Sequence, residues 1–125
     1  MRNAILENLQ ALKARHYVVK GQPGTYWFQF YQRELKRKLE ASDRSLYLII
    51  YGSETEPDDY YVIPYKDVSV LFVPENLNEP SPGNESPRWS AKITGGLLKL
   101  DSSGRHADVA AYKANRHMLE CALQK

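Results

Sequence analysis

The chain has 125 residues, of which 42% are hydrophobic and 26% charged, and its formal net charge is +2 at neutral pH. This composition is typical of a folded protein, and the length predicts a single domain over residues 1–125. No run of about 18 apolar residues is present, which excludes a membrane-spanning helix. The only cysteine, Cys121, excludes an internal disulfide and a cysteine-rich zinc site. Since the N-terminal segment also lacks the apolar centre of a secretory signal, we expect a cytoplasmic protein.

The charges are segregated along the chain. Residues 1–40 carry eight Lys and Arg against three acidic residues, residues 41–87 carry two against nine, and residues 88–125 carry seven against three. Two basic ends therefore flank an acidic middle. If the ends meet in the fold, the protein has one positive and one negative face; alternatively, each run is only a solvated surface.

The first third of the chain predicts two helices separated by an aromatic segment. Apolar residues recur at helical spacing over residues 3–15, which predicts the first helix. Residues 21–24 contain two glycines and a proline and predict a turn. The aromatic residues 25–31 fit either a strand or a helix entry, and the pattern becomes helical again over residues 32–40.

The middle of the chain predicts the core of a sheet. Residues 45–51 are the most apolar run and predict a buried strand. Residues 58–65 begin with two aspartates, continue with aromatic and β-branched side chains, and contain Pro64 near their end. We interpret this stretch as a central strand that pairs antiparallel with residues 45–51. A short helix is predicted over residues 65–72, with a strand as the alternative because of its valines.

The last third of the chain predicts a long loop, a hairpin and a helix. Four prolines indicate a loop over residues 74–87. Residues 88–93 and 97–100 predict a β-hairpin closed by glycines. A segment containing serine and glycine then leads to a helix predicted over residues 107–123. Together these elements predict an α+β fold, with a small mixed or antiparallel sheet of about four to five strands flanked by N-terminal and C-terminal helices.

Motifs for catalysis are scarce in this sequence. It contains no nucleophile elbow, no phosphate-binding loop and no zinc-protease motif. The triplet Glu34-Leu35-Lys36 has the spacing found in metal-dependent nucleases, but it falls on a predicted helix surface, and the three histidines are dispersed. We therefore predict no catalytic residue, no metal site and no cofactor. A nuclease subunit dependent on Mg²⁺ remains an alternative.

Aromatic and cationic residues provide the strongest functional signal. The chain has nine tyrosines, two tryptophans and three phenylalanines, and several of them lie beside turns. Aromatic rings stack on bases, while Lys and Arg neutralise phosphates. The residues predicted to bind nucleic acid are Tyr61, Pro64, Tyr65, Arg88, Trp89, Lys92, Arg105, His106, Arg33, Arg37, Lys113 and Arg116. The alternative is that the aromatic rings belong to the core and the cations are merely solvated.

Parts of this pattern resemble a known group of proteins. Residues 59–68, followed by Arg88-Trp89 and later by Asp108-Val109 and Tyr112, resemble small DNA-reading domains of modification-dependent restriction systems, which accompany HNH nucleases. Among them are the sulfur-binding domains that recognise phosphorothioate DNA. The resemblance implies a non-catalytic domain that reads modified DNA, such as phosphorothioate DNA, or a specific duplex, in a restriction or defence context.

The resemblance also implies roles for individual residues. An apolar pocket for the modified group would be built from Tyr61, Pro64 and Tyr65. Cationic groups beside it would hold the DNA backbone, and they are Arg88, Lys92, Arg105 and His106. Arg33, Arg37, Lys113 and Arg116 would add affinity that does not depend on sequence. Because no HNH segment is recognisable, the chain would be a free-standing reader or a subunit that works with a separate nuclease. A protein-interaction adaptor or inhibitor, acting through tyrosine-rich and acidic surfaces, is the alternative function.

Overall fold

The computed structural model describes residues 1–42 and 45–124, and it confirms the α+β class with helices near both ends. The helices are α1 (Ala4–Glu7), α2 (Leu9–Arg15), α3 (Gln32–Ser42), α4 (Tyr65–Val68) and α5 (Arg116–Gln124). The strands are β1 (Tyr17–Lys20), β2 (Phe28–Tyr31), β3 (Tyr47–Tyr51), β4 (Tyr60–Pro64), β5 (Arg88–Thr94), β6 (Leu97–Leu100) and β7 (His106–Asp108). None of the helices in the described ranges is both long enough and apolar enough to span a membrane.

The strands form two sheets, whereas the sequence predicted one. In the three-stranded sheet the order is β1-β3-β4, with β3 parallel to β1 and antiparallel to β4. In the four-stranded sheet the order is β2-β5-β6-β7, and every pair is antiparallel. The predicted antiparallel pairing of β3 with β4 is confirmed, and so is the hairpin of β5 and β6.

The three-stranded sheet is the middle layer of the molecule. One face of it packs on the helices near the two ends of the chain; this cluster contains Ile49, Tyr60, Val62, Ile5, Leu12, Leu119 and Ala122. Its other face packs on the four-stranded sheet; that cluster includes Leu48, Ile50, Tyr61, Ile63, Phe28, Phe30, Trp89, Ile93 and Leu98. Strands covered on both faces need apolar side chains at every position, which explains the unbroken apolar runs of β3 and β4.

Strand β4 lies at an edge of its sheet, so its prediction as the central strand was wrong; β3 occupies the centre. The outer edge of β4 is covered by the segment that leads to α5. Lys113 forms an antiparallel bridge with Tyr61. The backbone N–H of Ala114 donates to the carbonyl of Tyr60 at 2.9 Å. These contacts satisfy part of the free edge. Together with the packing on both faces of the sheet, they leave β4 buried along its whole length.

The connection after β4 is helical, as predicted. Helix α4 continues directly into a 3₁₀ helix over Ser69–Leu71. A second 3₁₀ helix covers Pro74–Asn76, and residues 77–87 contain no helix or strand apart from an isolated bridge between Ser81 and Asn84. This segment leads into β5.

The α-helix predicted over residues 107–123 was wrong in its first half, which contains only a short 3₁₀ helix over Ala110–Tyr112. His106–Asp108 instead form β7, which pairs with β6. Ala114 has a left-handed backbone conformation with φ 51°, which an α-helix cannot continue through. Helix α5 begins only after this residue, where the side-chain oxygen of Asn115 accepts a hydrogen bond from the N–H of Met118 at 3.0 Å and so caps the helix.

Candidate nucleic-acid interface

The four-stranded sheet has one buried face and one exposed face. Along β5, Trp89, Ala91 and Ile93 are buried; on the opposite side Lys92 and Thr94 are exposed, whereas Arg88 and Ser90 are covered. The same alternation occurs in β6 and identifies the solvent side of the sheet. This solvent side, called the outer face below, presents Gln29, Tyr31, Lys92, Thr94, Leu97, Lys99, His106 and Asp108.

Three basic side chains form a row across the outer face. The register pairs Lys92 with Lys99 and Lys99 with His106 on the adjacent strands β5, β6 and β7. All three are exposed, and because neighbouring strands lie about 4.8 Å apart, the basic row spans about 10 Å. Within residues 1–42 and 45–124, neither lysine forms an ion pair with a carboxylate. Like charges placed opposite each other destabilise a sheet, so this arrangement favours an anionic ligand.

Trp27 lies beside the basic row. Continuing the register of β2 and β5 by one residue places Trp27 opposite Lys92. The indole N–H donates to Oδ2 of Asp101 at 2.9 Å, and Asp101 follows β6, opposite Ser90. Because β5 lies between β2 and β6, the half-buried indole ring extends across β5 on the outer face. An aromatic ring held in this way can stack on a base.

An acidic groove lies to one side of the basic row, just after the end of β6 at Leu100. Asp101 lines this groove together with Glu75 and Glu79, and its volume is about 350 Å³. Beside it, the side chains of Asn78 and Gln29 donate to the hydroxyl of Ser90 at 2.6 and 3.3 Å. These carboxylates repel phosphate, and they therefore restrict the binding of an anion to the side of the outer face that carries the basic row.

The residues predicted to form an apolar recognition pocket lie mainly in the core. Tyr61 is packed between the two sheets, with its ring 5.1 Å from that of Tyr26 in an edge-to-face arrangement. Pro64 is buried at the end of β4, and Tyr65 is half-buried, which raises the pKa of its phenol. Trp89 is buried, and its indole N–H donates to the carbonyl of Val73 at 3.0 Å. These side chains hold the layers together and are not free to contact a DNA backbone.

Arg88, predicted to hold a DNA backbone, instead holds the loop before β5. Only 8% of its surface is exposed, and its guanidinium donates to the carbonyls of Asn84 and Ser86 at 3.1 and 3.4 Å. The loop covers the position at which Arg88 would otherwise reach the outer face. Its contribution is therefore to the shape of the loop.

A second basic surface lies on α3. Arg33 and Arg37 are exposed there, and Arg37 forms two hydrogen bonds with the carboxylate of Glu34, at 3.1 and 2.6 Å. The hydrogen bonds from Arg37 lower the pKa of Glu34. Nearby, partial burial lowers the pKa of Lys38, and the positive charges of Arg37 and Lys13 act in the same direction, against Glu34. Within the Glu34-Leu35-Lys36 triplet, Glu34 thus forms a surface ion pair with Arg37.

The remaining predicted residues lie on separate elements. Arg105 is exposed just before β7, and its carbonyl accepts a hydrogen bond from the N–H of Leu100 at 2.9 Å. The Nζ atom of Lys113 lies 5.9 Å from the centre of the Tyr26 ring. Arg116 begins α5 and lines a groove of about 360 Å³ between α5 and the N-terminal segment. The structure therefore brings together Lys92 and His106 on one surface and Arg33 and Arg37 on another.

Two residues of the outer face, Lys99 and Trp27, were not among the residues predicted from the sequence to bind nucleic acid. Lys99 alternates with Leu98 and Leu100 in the predicted hairpin, and this alternation was a signal that its side chain is exposed. For Trp27 the sequence offered only its place beside the turn of residues 21–24, and its position on the outer face depends on Asp101. In the part of the chain that the structure describes, no three His, Cys, Asp or Glu side chains lie together as metal ligands would.

Comparison of the chain with protein-family models, with curated proteins and with solved structures finds no match.

Proposed function

We propose that this protein is a non-catalytic DNA-binding domain that contacts phosphates through its outer face. The observation that carries the proposal is the basic row of Lys92, Lys99 and His106, which is exposed, in register and without carboxylate partners among the described residues. Lysine neutralises phosphate charge directly. Histidine has at least one N–H to donate to a phosphate oxygen in either protonation state.

The proposal includes no cleavage step. The carboxylate of Glu34, the strongest nuclease candidate in the sequence, is engaged with Arg37 on the surface of α3. It also includes no pocket for a phosphorothioate group at Tyr61 and Pro64, because both residues are buried. What remains of the resemblance to restriction-system DNA readers is the combination of cations with aromatic rings, now assigned to the outer face.

Charge reversal on the basic row tests the proposal. We expect the double variant Lys92→Glu/Lys99→Glu to weaken binding to fluorescently labelled DNA by roughly 10-fold or more, measured by anisotropy at about 50 mM salt. Each lost phosphate contact reduces the slope of log K against log salt by about 0.7 to 0.9, so the slope decreases by about 1.5 in the double variant. The measurement is made with both single-stranded and double-stranded DNA.

Lys66→Glu is the matched control, because Lys66 is an exposed lysine on α4, outside the outer face. Like each of the two substitutions at Lys92 and Lys99, Lys66→Glu makes the net charge more negative. It should leave the slope of log K against log salt near that of the wild type. The proposal is wrong if neither DNA form binds at low salt. It is also wrong if Lys66→Glu weakens binding as much, per charge changed, as the double variant.

A further inference from the structure

We infer that the DNA bound by the outer face is single-stranded and that one of its bases stacks on Trp27. This inference rests on the proposed DNA binding and names the form of DNA that the site accepts. It comes from the position of Trp27 relative to the basic row and from the width of the sheet.

The width of the sheet disfavours reading of a duplex through its major groove. The major groove is about 12 Å wide and admits a helix or a two-stranded ribbon. Four strands at about 4.8 Å spacing are wider than this, so the outer face cannot enter the groove and read base edges there. A single strand has no groove, and its bases are free to lie flat against a surface.

Trp27 supplies the stacking group. It is half-buried, whereas the other tryptophan, Trp89, is 2% exposed and packed in the core. Its hydrogen bond to Asp101 fixes the ring before any ligand arrives, so little side-chain entropy is lost on stacking. Because Trp27 lies opposite Lys92, a base on the indole leaves its own phosphate close to the basic row.

The acidic groove sets the direction of the strand across the outer face. Asp101, Glu75 and Glu79 repel phosphates from the end of the sheet where the indole N–H is anchored. The sugar-phosphate backbone therefore runs along Lys92, Lys99 and His106, with the bases toward Trp27. Stacking depends weakly on base identity, so we expect binding that tolerates different sequences.

Binding of three labelled ligands of equal length tests the inference: single-stranded DNA of about 12 nucleotides, the matching RNA, and the DNA duplex. We expect single-stranded DNA to bind more tightly than the duplex. Trp27→Ala should weaken it between about 5-fold and 150-fold, the range for loss of one base–aromatic stack. Trp27→Phe keeps a ring but loses the hydrogen bond to Asp101, and it should retain most of the affinity. Circular dichroism of both variants confirms that they are folded.

Intrinsic fluorescence provides an independent readout. Single-stranded DNA should quench the emission of the wild type, and the quenching should disappear in Trp27→Phe, since the remaining Trp89 is buried. The inference is overturned if the duplex binds as tightly as the single strand and Trp27→Ala changes neither affinity, even while the lysine reversals weaken binding. Tighter binding of RNA than of DNA overturns the assignment of the ligand as DNA. No binding of any nucleic acid at low salt overturns the proposed function itself.

Discussion

His16 lies buried where α2, β3 and α5 meet, with both ring nitrogens bonded to the backbone. Its Nε2 donates to the carbonyl of Ala122 at 2.9 Å, and its Nδ1 accepts from the N–H of Tyr47 at 3.1 Å. The second bond requires an Nδ1 without a proton, so the imidazole must be neutral. Burial lowers the pKa of His16 in the folded state, and the positive charges of Arg15 and Lys38 lower it further, against the hydrogen bond to Ala122.

This depressed pKa predicts loss of stability in mild acid. Above pH 6.5, the ordinary value, the imidazole is neutral in both states and the stability is complete. As the pH decreases below that value, the unfolded chain binds a proton before the folded one does, and the free energy of unfolding declines. We expect urea denaturation to show this decline as the pH decreases below about 6.5, and His16→Gln to flatten it while costing about 1–3 kcal/mol at neutral pH.

His117→Gln is the matched control for His16→Gln, because it removes an imidazole that is exposed on α5 instead of one that is buried. The carboxylates of Glu34 and Glu54, whose pKa values are lowered by their ion pairs, titrate at lower pH. An unchanged pH profile in His16→Gln would show that His16 is not its cause.

At the scale of the element, the hairpin of β5 and β6 contains a contact that lowers the stability of the fold. Lys92 and Lys99 are directly opposite each other, which destabilises the pair in the absence of an anion. Thr suits an exposed strand position, so Lys99→Thr should raise the free energy of unfolding by about 0.2–1 kcal/mol, with the larger gain at low salt. The same variant should bind DNA more weakly, which is the trade-off between stability and function expected at a binding site.

Lys20→Thr provides the contrast for Lys99→Thr. Lys20 is an exposed lysine of β1, and its Nζ lies 2.8 Å from the carboxylate of Glu54. Removing it breaks an ion pair of opposite charges, so the stability should stay level or decrease slightly. A Lys99→Thr variant that is no more stable than the wild type at low salt would contradict the assigned repulsion.

At the scale of the whole molecule, local patterns predicted the elements better than their arrangement. The apolar runs of β3 and β4 and the glycines of the β5–β6 hairpin correctly located these strands, because each signal lies within a few residues. In the hairpin, Gly95 and Gly96 both have positive φ, and a Cβ on Gly96 would lie 2.8 Å from that of Ala110. Such positions are reliable in sequence since few other residues fit them.

The arrangement depends on contacts between distant residues, which no local pattern records. Strand β7 is three residues long and exists through its pairing with β6, so its sequence was mistaken for the start of a helix. Tyr61 was expected to line a recognition pocket with Pro64 and Tyr65, yet the second sheet covers it. The outer face could be inferred in part from the alternation in β5 and β6, but its alignment of Lys92, Lys99 and His106 required the register.

The covering of β4 by Lys113 and Ala114 has a consequence for self-association. Tyr60–Pro64 is apolar and β-branched, and detaching the covering segment would expose an unpaired strand edge, which is a template for aggregation. Ala114→Pro removes the N–H that binds Tyr60 and forbids the left-handed conformation, so we expect it to aggregate on warming, measured by light scattering. Ala114→Gly keeps both and should remain monodisperse; equal scattering from the two variants would show that another feature protects this edge. We therefore expect Lys113 and Ala114 to keep the chain from pairing with copies of itself through this edge.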